Sequence, residues 1–327
     1  MSLVVTFTRL CKYAKYNYNQ LEKHSKYPAL LLNLPANLPR KRCRNHSKMS
    51  GEEAHHLDQY YEEVMNLVQK AGEIVKEKIS NRDKFIEKKS SDIDLVTETD
   101  QQVEKLLMDN LSKKFQGHKF IGEETVSGGG QCVLTDAPTW IIDPIDGTMN
   151  FVHSFPHSCI SIALFVKQKP QIGIIYNPML NQLFTARKGK GAFLNGKKIT
   201  VSDKKHLSEA LLMFELGTSR EPEKQRVVSE NQSVLMKQAH GLRSLGSAAL
   251  DMAMVACGAA DAYFEYGIHI WDIAAGELIV TEAGGVIMDP KGGELDRFSR
   301  RVLIAGSQEL AEKLSQTIVQ FYPQPRD

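Results

Sequence analysis

The run Asp143-Pro144-Ile145-Asp146-Gly147-Thr148 holds the residue types best suited to chemistry, two carboxylates three positions apart behind the apolar stretch Trp140-Ile141-Ile142. Pro144 has no N–H to continue a ladder, so a turn is expected there, with both acids at the exposed end of a strand. Carboxylates this close repel unless a proton or a cation compensates. A hard divalent cation takes oxygen ligands, and carboxylates with a backbone carbonyl suit it. Gly147 lets the backbone approach a ligand closely, and the N–H groups of Gly147 and Thr148 would cradle an oxyanion such as phosphate. The same residues also make an ordinary Asx-type turn.

Three further acidic groups bear on that choice. Gly122-Glu123-Glu124 follows Phe120-Ile121; two adjacent acids at a strand end are equally a solvated surface. Asp272 precedes the apolar run Ile273-Ala274-Ala275, as a ligand or as an N-cap. Asp100, after Asp94 and Thr97, is placed to cap a helix through Val103, Leu106, Leu107 and Leu111.

The elements that must hold these groups are legible in outline. Tyr61, Val64, Leu67, Val68, Ala71, Ile74 and Val75 recur at helical spacing. Short strands are expected at 94–97, 120–121, 140–142, 161–166, 172–176 and 183–186, and a long helix from Ser247 through Cys257. An antiparallel sheet region thus precedes an α/β region, with a boundary near Thr200. The domains expected are a basic extension over 1–52, an α+β domain with metal-binding loops over 53–199, and an α/β domain over 200–327 that completes the site.

Of the 327 residues, 42% are hydrophobic and 24% charged, which suits a soluble globular chain. The formal charge of +2 hides an asymmetry. Met1 to Lys48 carry ten Lys and Arg against one acid, Glu22, leaving 31 basic and 38 acidic residues, formally −7, for the rest. An acidic body can host hard cations and does not suit nucleic acid. The extension reads as disordered or as a targeting segment, and Met49 as an alternative start. Five dispersed cysteines, Cys11, Cys43, Cys132, Cys159 and Cys257, form no CxxC pair, which argues for a reducing compartment and a cytoplasmic location. No apolar run approaches the roughly 18 residues of a membrane span.

Three blocks together resemble the signatures of the inositol monophosphatase family: W-I-I-D-P-I-D-G-T-M-N-F from Trp140, W-D-I-A-A-G from Trp271 with T-E-A-G-G from Thr281, and G-E-E at Gly122. The likeness extends to Asp94-Leu95-Val96-Thr97 with Asp100, to 187–193, to 240–244 and to 258–267, and so covers roughly residues 55 to 315. It implies an α-β-α-β-α layered sandwich with the active site between two domains, a homodimer, and magnesium-dependent hydrolysis of inositol monophosphates that is sensitive to lithium. It also implies roles. Glu123, Asp143 and the carbonyl of Ile145 would hold one magnesium; Asp143, Asp146 and Asp272 a second; Glu123 would reach a third through water. Asp100, Thr148 and Glu123 are the catalytic set. Asp146, Gly147, Thr148, Gly246, Ser247, Ala248, Glu265 and Asp272 would face substrate, and Lys89 matches a lysine in a loop near the metals. Met149 and Ser154 depart from the pattern, at positions where animal members often carry Thr and a basic residue.

Other patterns point elsewhere and are weaker. Gly191 to Lys198 nearly matches a P-loop, but Lys198 stands where Ser or Thr is required, and a glycine hairpin is the better reading. His153 and His157 are separated by Pro156, which argues against a helical zinc pair. Relatives using the same metal set hydrolyse nucleotide 3′-phosphates or sugar and inositol bisphosphates, and a catalytically silent scaffold is the alternative from outside the enzymes.

Overall fold

Val64, Leu67, Val68, Ala71, Val75 and Ile79 recur every three or four residues and all are buried, the stripe of an amphipathic helix. The computed structural model describes residues 51–80, 86–91 and 94–327, and this first helix, α1, spans Gly51–Ile79. The disordered, targeting and alternative-start readings of the N-terminal extension fall outside the described residues. The described residues pack as one unit.

Helix α1 lies with α2 (Glu98–Lys114) on one face of a seven-stranded sheet, where Val103, Leu107 and Leu111 meet Trp140, Ile142, Ile162 and Ile174. A two-stranded hairpin, β1 (Ile86–Ser91) and β2 (Asp94–Thr97), precedes α2. The sheet runs β3 (Lys119–Gly122), β4 (Thr139–Asp146), β5 (Cys159–Val166), β6 (Lys169–Asn177), β7 (Gln182–Arg187), β8 (Gly191–Leu194) and β9 (Lys197–Ile199) in spatial order. Its β3–β4 pair is parallel and the other pairs are antiparallel. The P-loop-like stretch is thus the β8–β9 hairpin.

Alternation along the strands sends Ile141, Ala163, Phe165, Ile175 and Phe184 to the opposite face. There they bury α6 (Ala248–Ala256) and α7 (Ile270–Glu282) against Tyr263, Val302 and Ile304 of a second sheet. That sheet is ordered β11 (Gly241–Arg243), β10 (Leu211–Phe214), β12 (Ala262–Tyr266), β14 (Arg301–Ala305) and β13 (Val286–Met288). Its far face packs on α5 (Pro222–Leu235) and α8 (Gln308–Thr317) through Leu212, Phe264, Val227 and Leu314. The layers are α-β-α-β-α. Strands of the larger sheet all precede Thr200, and those of the smaller all follow it. Among the described residues no helix is long and apolar enough to cross a membrane.

The structure corrects three local readings. Strand β4 does not turn at Pro144; it runs on to Asp146, with its register slipping between Asp143 and Asp146. A bulge tolerates a residue that cannot donate to the ladder. Both carboxylates are consequently buried, at 2% and 7% exposure, and not at an exposed end. Helix α2 is capped by Thr97, with Asp100 at the third position of a capping box. Helix α7 begins at Ile270 behind His269, with Asp272 in the same third position.

Candidate active site

Asp143 and Asp146 come from the end of β4, and Asp272 from the first turn of α7. These three carboxylates each place an oxygen within 4.8 Å of the others. Asp146 Oδ2 accepts from Ser247 Oγ at 2.6 Å and Ala249 N at 2.7 Å. Asp272 Oδ2 accepts from His269 N at 2.6 Å. Asp143 Oδ1 is buried and faces no hydrogen-bond donor among the described residues. Burial, aided by Glu123, Asp146 and Asp272, pushes the Asp143 carboxyl well above the usual range. Burial together with Asp146 and Glu123 does the same to Asp272. Burial raises Asp146 to about 6, against the pull of its bonds from Ser247 and Ala249. Buried carboxylates without compensation are unfavourable, and an all-oxygen donor set with one orphaned oxygen fits a hard divalent cation.

Glu123 stands beside this trio and not within it. It opens the short helix α3 (Glu123–Ser127), and its Oε1 accepts from Lys89 Nζ at 2.7 Å. Lys89, on β1, also donates to Glu124 Oε1 at 2.8 Å. Burial alone would lower the Lys89 ammonium, but the two glutamates outweigh it and hold it far above the usual range. The placement of α3 depends on a residue that sequence reasoning missed, Glu104 of α2. Its carboxylate accepts Glu124 N at 2.8 Å, Thr125 N at 2.9 Å and Thr125 Oγ1 at 2.6 Å. The available signal was an acid, 4% exposed, on the helix flank that carries Val103 and Leu107.

Asp100 and Thr148 meet on the other side. Thr148 opens α4 (Thr148–Val152) and has one proton to share between Ile145 O at 3.1 Å and Asp100 Oδ1 at 3.3 Å. Asp100 Oδ2 accepts from Thr97 N at 2.9 Å and from Thr97 Oγ1. Burial raises Asp100 to about 7 despite the Thr97 bonds, with Glu123 adding to the rise. Gly147 has φ 88°, and a Cβ there would stand 2.9 Å from Gly246 O and 3.0 Å from His157 O. Glycine alone takes that conformation in that space without strain.

The segment Gly246-Ser247-Ala248 arrives from the other sheet. Ser247 N-caps α6 through Leu250 N at 3.3 Å while holding Asp146, so its hydroxyl is committed to the carboxylates. The loop before it is fixed from two directions. Asn150 Nδ2 donates to His157 O at 2.7 Å and Leu245 O at 2.6 Å. Glu215, also missed from sequence, accepts Ser244 Oγ at 2.7 Å, Leu245 N at 2.6 Å and Gly246 N at 2.8 Å. Glu265 lies on β12, its Oε2 accepting from Tyr263 OH at 2.5 Å. Burial and then Glu215 lift Glu265 to about 8.

The chain is similar in sequence and in fold to proteins of one family. A model of the inositol monophosphatase family matches residues 56–321. Inositol monophosphatase 1 of Homo sapiens is 50% identical over 265 residues, which is 81% of this chain and 95% of the human protein. The IMPase of Thermotoga maritima, a solved structure, superposes with a TM-score of 0.71 at 32% identity, covering 79% of this chain and 96% of that one. A staphylococcal inositol monophosphatase-1, solved as a lithium chloride-soaked inhibitory complex, gives a TM-score of 0.70 at 25% identity over 80% of this chain and 94% of that one. With the match spanning every element that carries the carboxylate cluster, the chain belongs to the inositol monophosphatase family.

Proposed function

We propose that this chain hydrolyses inositol monophosphates to inositol and phosphate with the help of magnesium. The observation that carries the reading is the trio of buried Asp143 and Asp146 with half-buried Asp272, Asp143 Oδ1 facing no donor among the described residues. Glu123, Asp143 and the Ile145 carbonyl would hold one ion, and Asp143, Asp146 and Asp272 a second, with Glu123 reaching a third through water. Bound there, magnesium supplies positive charge to a dianionic ester and lowers the pKa of water. That contribution is large because uncatalysed hydrolysis of a phosphate monoester is among the slowest reactions known.

The chain's own groups do the rest. Gly147 and Thr148 present backbone N–H groups to the phosphate oxygens. Thr148 turns its hydroxyl between Ile145 O and Asp100; once that carbonyl is engaged elsewhere, the proton goes to Asp100. Asp100, raised to about 7 by burial, is poised to take a proton from Thr148 or from the attacking water. Glu265 accepts from polyol hydroxyls. No side-chain nucleophile is required, and Cys159, buried among the carboxylates with its thiol pushed far up, is unsuited to be one. We place the enzyme in the cytoplasm as a homodimer, a setting that suits its free thiols Cys132, Cys159 and Cys257.

Phosphate release from inositol 1-phosphate tests the reading, with magnesium, with EDTA and with lithium added. Release that EDTA abolishes and lithium suppresses supports it. Activity confined to a nucleotide 3′-phosphate or a sugar bisphosphate would move the substrate, and inertness toward every ester would sink the enzyme.

A further inference from the structure

Helix α5 buries Lys224, Val227, Val228, Asn231 and Leu235, the i, i+3, i+4, i+7, i+11 stripe of an amphipathic helix. The three apolar members join the core beneath the smaller sheet. Asn231 is accounted for, donating to Val319 O at 2.9 Å and accepting from Val319 N at 2.6 Å. Lys224 is not. It is 2% exposed, yet among the described residues its ammonium makes no direct hydrogen bond or ion pair. Nζ itself is not among the fully buried atoms that lack a partner, so a buried stem carries an ammonium that keeps an opening, and that placement needs a reason.

The ammonium ends in a slot lined by two glycines. A Cβ on Gly217 would lie 2.3 Å from Lys224 Nζ, and one on Gly267 2.7 Å from it. Both glycines have positive φ, 67° and 90°, so the slot is kept open by backbone that disfavours a side chain. Glu265 closes it: its Oε1 is 3.5 Å from the same Gly217 Cβ position. Lys224 Nζ and Glu265 Oε1 therefore lie within about 6 Å of each other, beyond the roughly 2.7–3.2 Å of a direct bond. Oε2 of Glu265 is already taken by Tyr263. The charges facing Lys224 are Glu265, Arg300 and Glu221, and Glu215 faces Glu265.

An ammonium only donates, the Glu265 oxygen facing it can accept, and a hydroxyl does both. One hydroxyl oxygen bridging them through two ordinary hydrogen bonds needs a separation of about 4.5–5.5 Å, which the slot can provide. We propose that Lys224 and Glu265 Oε1 form a two-sided clamp for a single hydroxyl of the polyol, with Lys224 as a specificity-determining residue. The clamp rests on the polyol-phosphate reading above and adds to it a residue on α5 that the catalytic blocks do not contain.

Lys224→Met keeps the apolar stem and removes the donor; Lys224→Gln, shorter and uncharged, is made in parallel, so a folding failure in one leaves the other to decide. Hydrolysis is followed in magnesium with inositol 1-phosphate and with 4-nitrophenyl phosphate, a monoester that has no free hydroxyl for the clamp to hold. Loss of one charge-assisted bond should raise KM for inositol 1-phosphate about ten- to hundredfold. The turnover number on inositol 1-phosphate should stay within about twofold, and both constants for 4-nitrophenyl phosphate should hold. Lys224→Met combined with Glu265→Gln should be little worse than either alone on inositol 1-phosphate, since either breaks the clamp. Equal losses on both esters, or no change on either, would leave Lys224 as a counter-charge for Glu265 and overturn the clamp alone. A wild-type protein inert toward inositol 1-phosphate would overturn the polyol reading and the clamp with it.

Discussion

Ser247 Oγ donates to Asp146 Oδ2 at 2.6 Å across 101 positions of sequence. That bond ties the end of β4 in one sheet layer to the N-terminus of α6. The same hydroxyl accepts from Leu250 N, so one side chain both caps a helix and orients a candidate ligand. Partners of this kind govern ligand direction, and losing one typically weakens metal binding about 10–100-fold. Ser247→Ala is expected to raise the magnesium concentration for half-maximal activity by at least about tenfold and to cost about 1 kcal/mol through the lost cap. Ser247→Thr should retain most of both. A magnesium titration of activity beside a thermal melt checks this; an unshifted titration with a lowered Tm would reduce Ser247 to a cap.

The metal-free protein should lose stability as pH rises. Without a cation, burial puts Asp146 at about 6, Asp100 at about 7 and Glu265 at about 8, against about 4 for unfolded carboxyls. The folded state then binds protons more tightly than the unfolded one. The stability those protons confer is complete below about pH 4 and is lost as pH climbs through about 6 to 8. In EDTA, Tm should fall between about pH 5.5 and pH 8.5. Saturating magnesium should flatten the fall, since a bound cation replaces the protons. Parallel curves with and without magnesium would contradict a cation site at these carboxylates.

Much of this site could be read in the sequence because its acidic residues sit in short blocks whose residue types have few other uses together. The fold brings Asp143, Asp146 and Asp272 together and sets Glu123, paired with Lys89, beside them. The misreadings were local. Pro144 looked like a turn because its missing N–H ends most ladders, and a bulge that absorbs it is a property of the β4–β5 pairing. Asp100 and Asp272 looked like N-caps, but a carboxylate three residues into a helix caps by reaching back, and the difference lies in backbone direction. Glu104, Glu215 and Lys224 went unnoticed for another reason. Each acts on a residue distant in sequence, and only the fold brings the 244–246 loop onto Glu215.

Gly147→Ala should separate the phosphate cradle from the fold. The left-handed φ of 88° costs an alanine about 1–2 kcal/mol, and its Cβ would press on Gly246 O at 2.9 Å. The expected result is a folded protein with Tm lowered by several degrees and turnover down by about 100-fold or more, since small misplacements at a reacting centre are this damaging. Circular dichroism with a phosphate-release assay reads both. Full activity would mean that the backbone at Gly147 does not meet the ester.

Asp100 and Thr148 should behave as one unit. Their contact at 3.3 Å sets up a proton path, and removing a positioned acid–base group typically costs about 10²–10⁴ in rate. Asp100→Asn and Thr148→Ala should each lower the turnover number within that range. The double variant should fall less than tenfold further, because groups acting together are not additive. Single-turnover kinetics at saturating magnesium measures this. Fully additive losses would assign the two residues to separate steps.

Asp327 extends the support of Asp272 to a residue distant in sequence. Its Oδ2 accepts from Ile270 N at 3.0 Å, and its Oδ1 lies 2.5 Å from His269 Nδ1. His269 stacks flat on Trp271, with ring centroids 4.5 Å apart, and its backbone N–H donates to Asp272 Oδ2. The first amides of α7 are thus spoken for by two carboxylates, and the positive end of this helix serves to hold Asp272 more than to attract substrate. Removing Asp327 should let the helix start fray and Asp272 turn. Asp327→Ala is expected to cost about 1 kcal/mol, as a lost cap does. It should also raise the magnesium requirement several-fold, with turnover restored at saturating metal. Asp327→Asn keeps an oxygen for Ile270 N and should lie between. If the alanine variant melts earlier while its magnesium titration stays put, Asp327 is a clasp for the segment that follows α8 and has no part in orienting Asp272.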